Sequence, residues 1–184
     1  YLKKKSLKIF DVEEKDIRGG SLRIFITKNN NFKTKKRLLD LIKVEKKANL
    51  NNLGVLKKFS KKVRNNRFEI TSILTNLKKK NKKIVVLSTP AKGMTLLNYC
   101  KLDKDFIDFA TEKSKLKIKK FTPGTNIQVY SDKEMLRKKP DYALILAWNF
   151  KKEIMNNNKK FYEDGGKFII PIPRVKIISK YGKN

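Results

Sequence analysis

With 184 residues and 39% apolar side chains, the chain can build one packed domain, or one domain plus a fragment. Lys+Arg number 47 against Asp+Glu 17, a net charge of +30, with no histidine and a single cysteine, Cys100. Histidine triads, histidine-ligated zinc, Cys₄ sites and an internal disulfide framework are therefore excluded, and no stretch reaches the ~18 unbroken apolar residues of a membrane span.

Residues 1–31 read as a β-hairpin. Residues 7–12 form one strand. In residues 21–27, Leu22, Ile24 and Ile26 alternate with Arg23 and Phe25, and Gly19-Gly20 introduces that second strand. An isolated pair is marginal in water, so it should lean on something else. Asn29-Asn30-Asn31 reads as a break. Residues 32–82 read as helical. Thr34 is placed to cap a helix carrying Leu38, Leu39, Leu41, Ile42 and Val44, and residues 49–52 end it. A longer helix follows, with Leu56, Val63, Ile70 and Leu77 at sevenfold spacing. Its stripe fits a subunit seam, hence a possible homodimer, or packing on its own domain.

Residues 83–184 alternate strand and helix. Residues 84–88 read as a buried parallel strand, with a helix over 94–100 and strands over 106–111 and 127–130. Asp132 is placed to cap a helix over 133–138. A strand over 142–148, a helix over 151–162 and a strand over 167–172 follow, with Pro171 and Pro173 putting the end of the last one at an edge or exit. The order predicts an α/β, Rossmann-like doubly wound, mostly parallel sheet, preceded by the hairpin and long helices.

Ligands of such sheets bind at the carboxyl ends of the strands. The first strand runs into Thr89-Pro90-Ala91-Lys92-Gly93-Met94-Thr95. Gly93 allows close approach, Lys92 adds a cation, Thr95 a hydroxyl, and the next helix offers unpaired N–H groups. These parts suit a phosphate or carboxylate; the alternative is an ordinary strand-to-helix turn. Glu112 ends the second strand, where an acid accepts from a ribose hydroxyl or is simply solvated near Lys113 and Lys115. Asn149 lies on the same sheet edge, as a ligand contact or a helix cap. No nucleophile or acid–base pair stands out, and Cys100 reads as a small buried side chain. No catalytic residue and no metal ligand is assigned.

Five stretches resemble the C-terminal portion of the S-adenosylmethionine-dependent sugar C-methyltransferases. They are Arg18-Gly19-Gly20-Ser21-Leu22-Arg23; Pro90-Ala91-Lys92-Gly93-Met94-Thr95-Leu96-Leu97-Asn98-Tyr99-Cys100; Thr122-Pro123-Gly124-Thr125; Pro140-Asp141-Tyr142-Ala143-Leu144-Ile145-Leu146-Ala147-Trp148-Asn149; and Gly165-Gly166-Lys167-Phe168-Ile169-Ile170-Pro171-Ile172-Pro173. Family members carry a zinc-binding domain, a methyl-donor domain and a C-terminal Rossmann-like domain that helps hold a nucleotide-linked deoxysugar. The resemblance implies a substrate-binding domain over 83–184 and a hairpin over 1–31 that closes the donor domain. It places Pro90 to Asn98, with Pro123, Gly124 and Thr125, on the substrate-facing side. The donor, S-adenosylmethionine, would be bound by missing N-terminal and middle domains or by a separate subunit. The zinc cysteines, the Gly-rich donor loop and the family's His/Glu segment are absent here. Arg18 stands where His or Asn usually precedes Gly-Gly, and Leu87-Ser88 where Tyr-Gly often stands.

Two alternatives remain open. A basic nucleic-acid-binding module would use the net +30, but lysines spread over every segment and outnumber arginines, as AT-rich coding also produces. A non-catalytic assembly domain would use the long helix. Tyr1 in place of Met leads to the expectation of a start cut from a longer protein, and the lone cysteine fits a reducing, cytoplasmic compartment.

Overall fold

The computed structural model describes residues 1–17, 19–28 and 31–180. Arg18 and the first two residues of the Asn29-Asn30-Asn31 break lie outside the described residues. The chain divides into two compact units, Tyr1–Ser60 and Lys61–Asn184.

In the first unit, β1 (Lys8–Lys15) pairs antiparallel with β2 (Ser21–Thr27), with a register shift between Ile9 and Asp11. The helix α1 (Lys36–Ala48) is held to β1 by Arg37, whose guanidinium donates to the buried Asp11. That guanidinium also holds the Asp11 carboxyl below its ordinary range. Lys35, not Thr34, occupies the position before α1, with no side-chain cap. Asn52 accepts from Gly54 and Val55 and starts α2 (Leu53–Lys79), which continues into the second unit.

The second unit is a six-stranded sheet. Its strands are β3 (Ile84–Leu87), β4 (Phe109–Glu112), β5 (Val129–Ser131), β6 (Tyr142–Ile145), β7 (Lys167–Ile170) and β8 (Lys176–Ile178), in spatial order β5-β4-β3-β6-β7-β8. All neighbours are parallel except β7 and β8. Between them run α3 (Ala91–Cys100), α4 (Glu134–Lys138), α5 (Lys151–Asn157) and α6 (Lys159–Glu163). β3, β4 and β6 are buried along their whole length, as strands covered on both faces are. Ile84 and Val86 point into one core with Ile70 and Leu74 of α2 and Leu97 of α3. Val85 and Leu87 point into the other, with Met135 of α4 and Phe161 of α6. The period of two along β3 thus feeds two separate cores, which makes the sheet doubly wound.

At the amino edge, the N–H groups of Lys83 and Ile84 donate to Asp141 (2.8 Å) and Asp108 (2.7 Å), which also pair with Lys82 and Lys78. Burial works against ionisation of Asp141, but the Lys83 N–H and Lys82 hold its carboxyl below the usual range.

Several local expectations change. β8, which the alternation of elements did not predict, pairs antiparallel with β7 and makes it an interior strand. β7 stops at Ile170, before Pro171, which lacks a ladder donor. The helix expected over 151–162 is interrupted at Asn158, whose side chain donates to the Ile154 carbonyl. Lys133, not Asp132, precedes α4.

Candidate functional site

The strand order reverses between β3 and β6. One crossover from β3 leads towards β4 and β5, while β6 lies on its other side and leads to β7. A crevice outside the carboxyl ends is expected at such a point. A cavity of about 280 Å³ lies there, lined by Leu87 and Ser88 at the end of β3, Thr111 to Lys113 at the end of β4, Asp132 after β5 and Ala147 after β6. Phe150 and the α5 residues Glu153, Ile154 and Asn157 close it.

Its wall is built by backbone geometry. Ser88 adopts a left-handed conformation (φ 66) and donates its N–H to the Thr111 carbonyl at 3.0 Å, so the chain turns sharply off β3. Thr89 is buried and donates both N–H (3.1 Å) and hydroxyl (2.7 Å) to Glu112 Oε2. Glu112 Oε1 accepts from the N–H groups of Lys113 and Ser114. Lys117, rather than Lys113 or Lys115, reaches across, with Nζ 2.9 Å from the Thr89 carbonyl and 3.4 Å from Glu112 Oε2. Burial disfavours the Glu112 charge, but these donors outweigh it and lower its pKa to about 2. Both oxygens of this strand-end acid are therefore engaged by the chain itself.

The other acids of the cavity differ. Asp132 is one of the lining residues. Desolvation raises its pKa, against the Thr111 hydroxyl and Lys113, and the Glu112 charge adds to the rise. The Thr111 hydroxyl is buried and lacks a partner of ordinary hydrogen-bond geometry among the described residues. Glu153 completes a set of carboxylates, with the Asn157 and Asn158 amides beside it, inside a strongly basic chain. Such acceptors suit the hydroxyls of a polyol better than a phosphate.

The residues singled out in the sequence fall into two groups, with Thr95 in neither. Pro90, Lys92, Gly93, Glu112 and Asn149 gather at the carboxyl rim. Pro90 is the position before α3, and Lys92 lies in the first turn of that helix, its Nζ 4.5 Å from the centre of the Trp148 ring. Gly93 is buried. A Cβ there would sit 2.6 Å from that of Leu146, so the missing side chain lets α3 approach the end of β6. Thr95 is exposed on α3, its hydroxyl 3.4 Å from the Ala91 carbonyl.

Asn98, Pro123, Gly124 and Thr125 form a separate group. Asn98 Nδ2 donates to the Pro123 carbonyl at 3.1 Å, and Thr125 is buried with its hydroxyl 2.7 Å from that of Thr122. Gly124 has φ 75, and a Cβ there would meet the Asn98 amide. This loop enters β5 and meets the α3–β4 connection through Lys104 N–H to Thr125 O, so it belongs to the amino-end side of the parallel strands. Cys100 is buried, and desolvation pushes its thiol up to about 11. Among the described residues no group of three or more His, Cys, Asp or Glu could hold a metal. No described helix is long and apolar enough to cross a membrane.

The sequence did not single out Asp132, Glu153 and Lys117 as site residues. Asp132 carried a readable signal, because like Glu112 it stands at the end of a short apolar run. Glu153 and Lys117 carried none, since their place depends on how α5 and the loop after β4 fold back.

The C-methyltransferase C-terminal domain family matches residues 16–173. The C-methyltransferase NovU of Streptomyces niveus is 30% identical over 174 residues, covering 94% of this chain and 41% of that relative. The chain thus spans well under half the length of the curated relative it matches.

Proposed function

The chain belongs to the C-methyltransferase C-terminal domain family, and from that premise we propose that it is the substrate-holding portion of an enzyme that methylates a carbon of a nucleotide-linked sugar. The observation that carries this reading is the cavity at the strand-order reversal, lined by Asp132, Glu153, Asn157 and Asn158. Sugar hydroxyls donate to the two carboxylates and accept from the amides. The diphosphate lies along the rim towards Pro90, Lys92, Gly93 and the leading N–H groups of α3, where a cation and unpaired donors favour negative charge. Asn149 borders that path. Asn98, Pro123, Gly124 and Thr125 serve this arrangement as scaffold, holding the end of α3.

S-adenosylmethionine supplies the methyl group in this reading. The rim of this sheet does not fit it. The turn after β3 is Ser-Thr-Pro-Ala-Lys-Gly rather than glycine-rich, and Glu112, the acid placed to take ribose hydroxyls, already has both oxygens engaged. The donor is assigned to N-terminal and middle domains or to a separate subunit, and no transfer step is assigned to the side chains of this chain.

Titration calorimetry tests the reading. A nucleoside diphosphate sugar should bind, and Asp132→Asn should weaken it by roughly 10-fold, the loss of one hydrogen bond to a charged acceptor. Tight binding of S-adenosylmethionine to this chain alone would contradict the assignment.

A further inference from the structure

A second cavity, of about 620 Å³, lies within the Lys61–Asn184 unit between α2, the start of α5 and the turn from β7 to β8. Its chemistry is the reverse of the first. Lys62, Lys151, Arg174 and Lys176 line it, against one carboxylate, Glu69. None of these five side chains belongs to an ion pair among the described residues, so the four cations meet no carboxylate within the hollow at ion-pair distance. Four unpaired cations around one hollow repel one another, and a bound anion relieves that repulsion.

The hollow also has a fixed frame and an apolar floor. Asn66 of α2 donates Nδ2 to the Pro171 carbonyl at 2.8 Å, tying the helix wall to the turn that carries Arg174. Ile170, Ile172 and Ile178 supply the floor. Volumes of ~300–1,000 Å³ with apolar lining and a few placed charges are typical of small-molecule sites.

We propose that this cavity binds a phosphate- or pyrophosphate-bearing small molecule, its anionic group between Arg174, Lys176, Lys62 and Lys151 and its ring on the isoleucine floor. The reading above places the sugar substrate's own diphosphate at the start of α3, so the ligand of this cavity is a separate phosphorylated metabolite. The sites flank one turn, since Lys151 of this cavity and Glu153 of the first are two residues apart in α5.

The probes are inorganic pyrophosphate and a nucleoside diphosphate, titrated into the full chain at about 150 mM salt, where diffuse attraction to a basic surface is largely screened. One equivalent beyond any held at the start of α3 should bind, and the nucleoside diphosphate more tightly. Arg174→Ala/Lys176→Ala should weaken both by 10-fold or more. Lys62→Gln, on a different element, should weaken them in the same direction. Lys46→Ala/Lys47→Ala, which removes two charges from the end of α1, should not. A parallel titration with the nucleotide sugar separates this ligand from the substrate. If Arg174→Ala/Lys176→Ala weakens it too, the anion is the substrate's own diphosphate, and the separate ligand of this cavity is overturned. If its binding is unchanged, the ligand is a separate metabolite. Unchanged binding of pyrophosphate and nucleoside diphosphate in Arg174→Ala/Lys176→Ala and Lys62→Gln, or equal loss in Lys46→Ala/Lys47→Ala, would overturn the proposal.

Discussion

Glu112 shows how one residue can be placed correctly by sequence while its task is not legible there. Its position at the end of a strand follows from the apolar run before it. Its partner Thr89 is 23 positions away, and the two meet because β3 and β4 pair in parallel. The consequence is a pH dependence with a definite sign. The folded pKa of about 2 lies below the ordinary 4.5, so the contribution to stability is complete above pH 4.5 and is lost as the pH falls towards 2. The size of that shift corresponds to something of order 3 kcal/mol. Glu112→Gln should therefore destabilise the fold by ~1–3 kcal/mol at pH 7, because an amide turns one donor towards Thr89 or Lys113. The gap to the unmodified chain should narrow between pH 5 and pH 3. Urea unfolding across that range measures both; equal stability at pH 7 would show that the bracket holds nothing together.

At the scale of elements, the strands that were legible are those with unmistakable apolar runs. Ile84, Val85, Val86 and Leu87 are all buried, and so are the four residues of β6, so composition alone marks them. β8 was not legible. Its three residues include an exposed lysine, and it is fixed by pairing with β7 rather than by its own pattern. The 151–162 segment has helical composition throughout, but the Asn158 side chain bonds back to the Ile154 carbonyl where the helix is interrupted. The packing of α3 on the sheet rests on Gly93. Gly93→Ala places a methyl 2.6 Å from the Leu146 Cβ, which forces α3 outward. Overpacking of this kind costs ~1–3 kcal/mol. Because the turn before α3 borders the first cavity, substrate affinity should fall with the melting temperature. A variant with unchanged melting temperature would mean that α3 does not sit as tightly as described.

At the scale of the whole molecule, charge is the least informative feature of the sequence and one of the more informative in the structure. A net +30 suggests a uniformly basic object. The fold instead gathers Asp132 and Glu153 at one cavity and leaves Lys62, Lys151, Arg174 and Lys176 unpaired at another. Such segregation cannot be read from composition, because it requires the ends of β4, β5, β7 and α5 to be brought to one rim. The doubly wound order was legible from the alternation of elements; the chemistry of its rim was not.

The most direct measurement is an amide NMR titration of the full chain with a nucleoside diphosphate, then with the matching nucleotide sugar. The sugar should add perturbations at Ser88, Lys113, Asp132 and Glu153 beyond those caused by the nucleotide. No added perturbation at these four positions, or their response to S-adenosylmethionine instead, would contradict the assignment of the first cavity to the sugar.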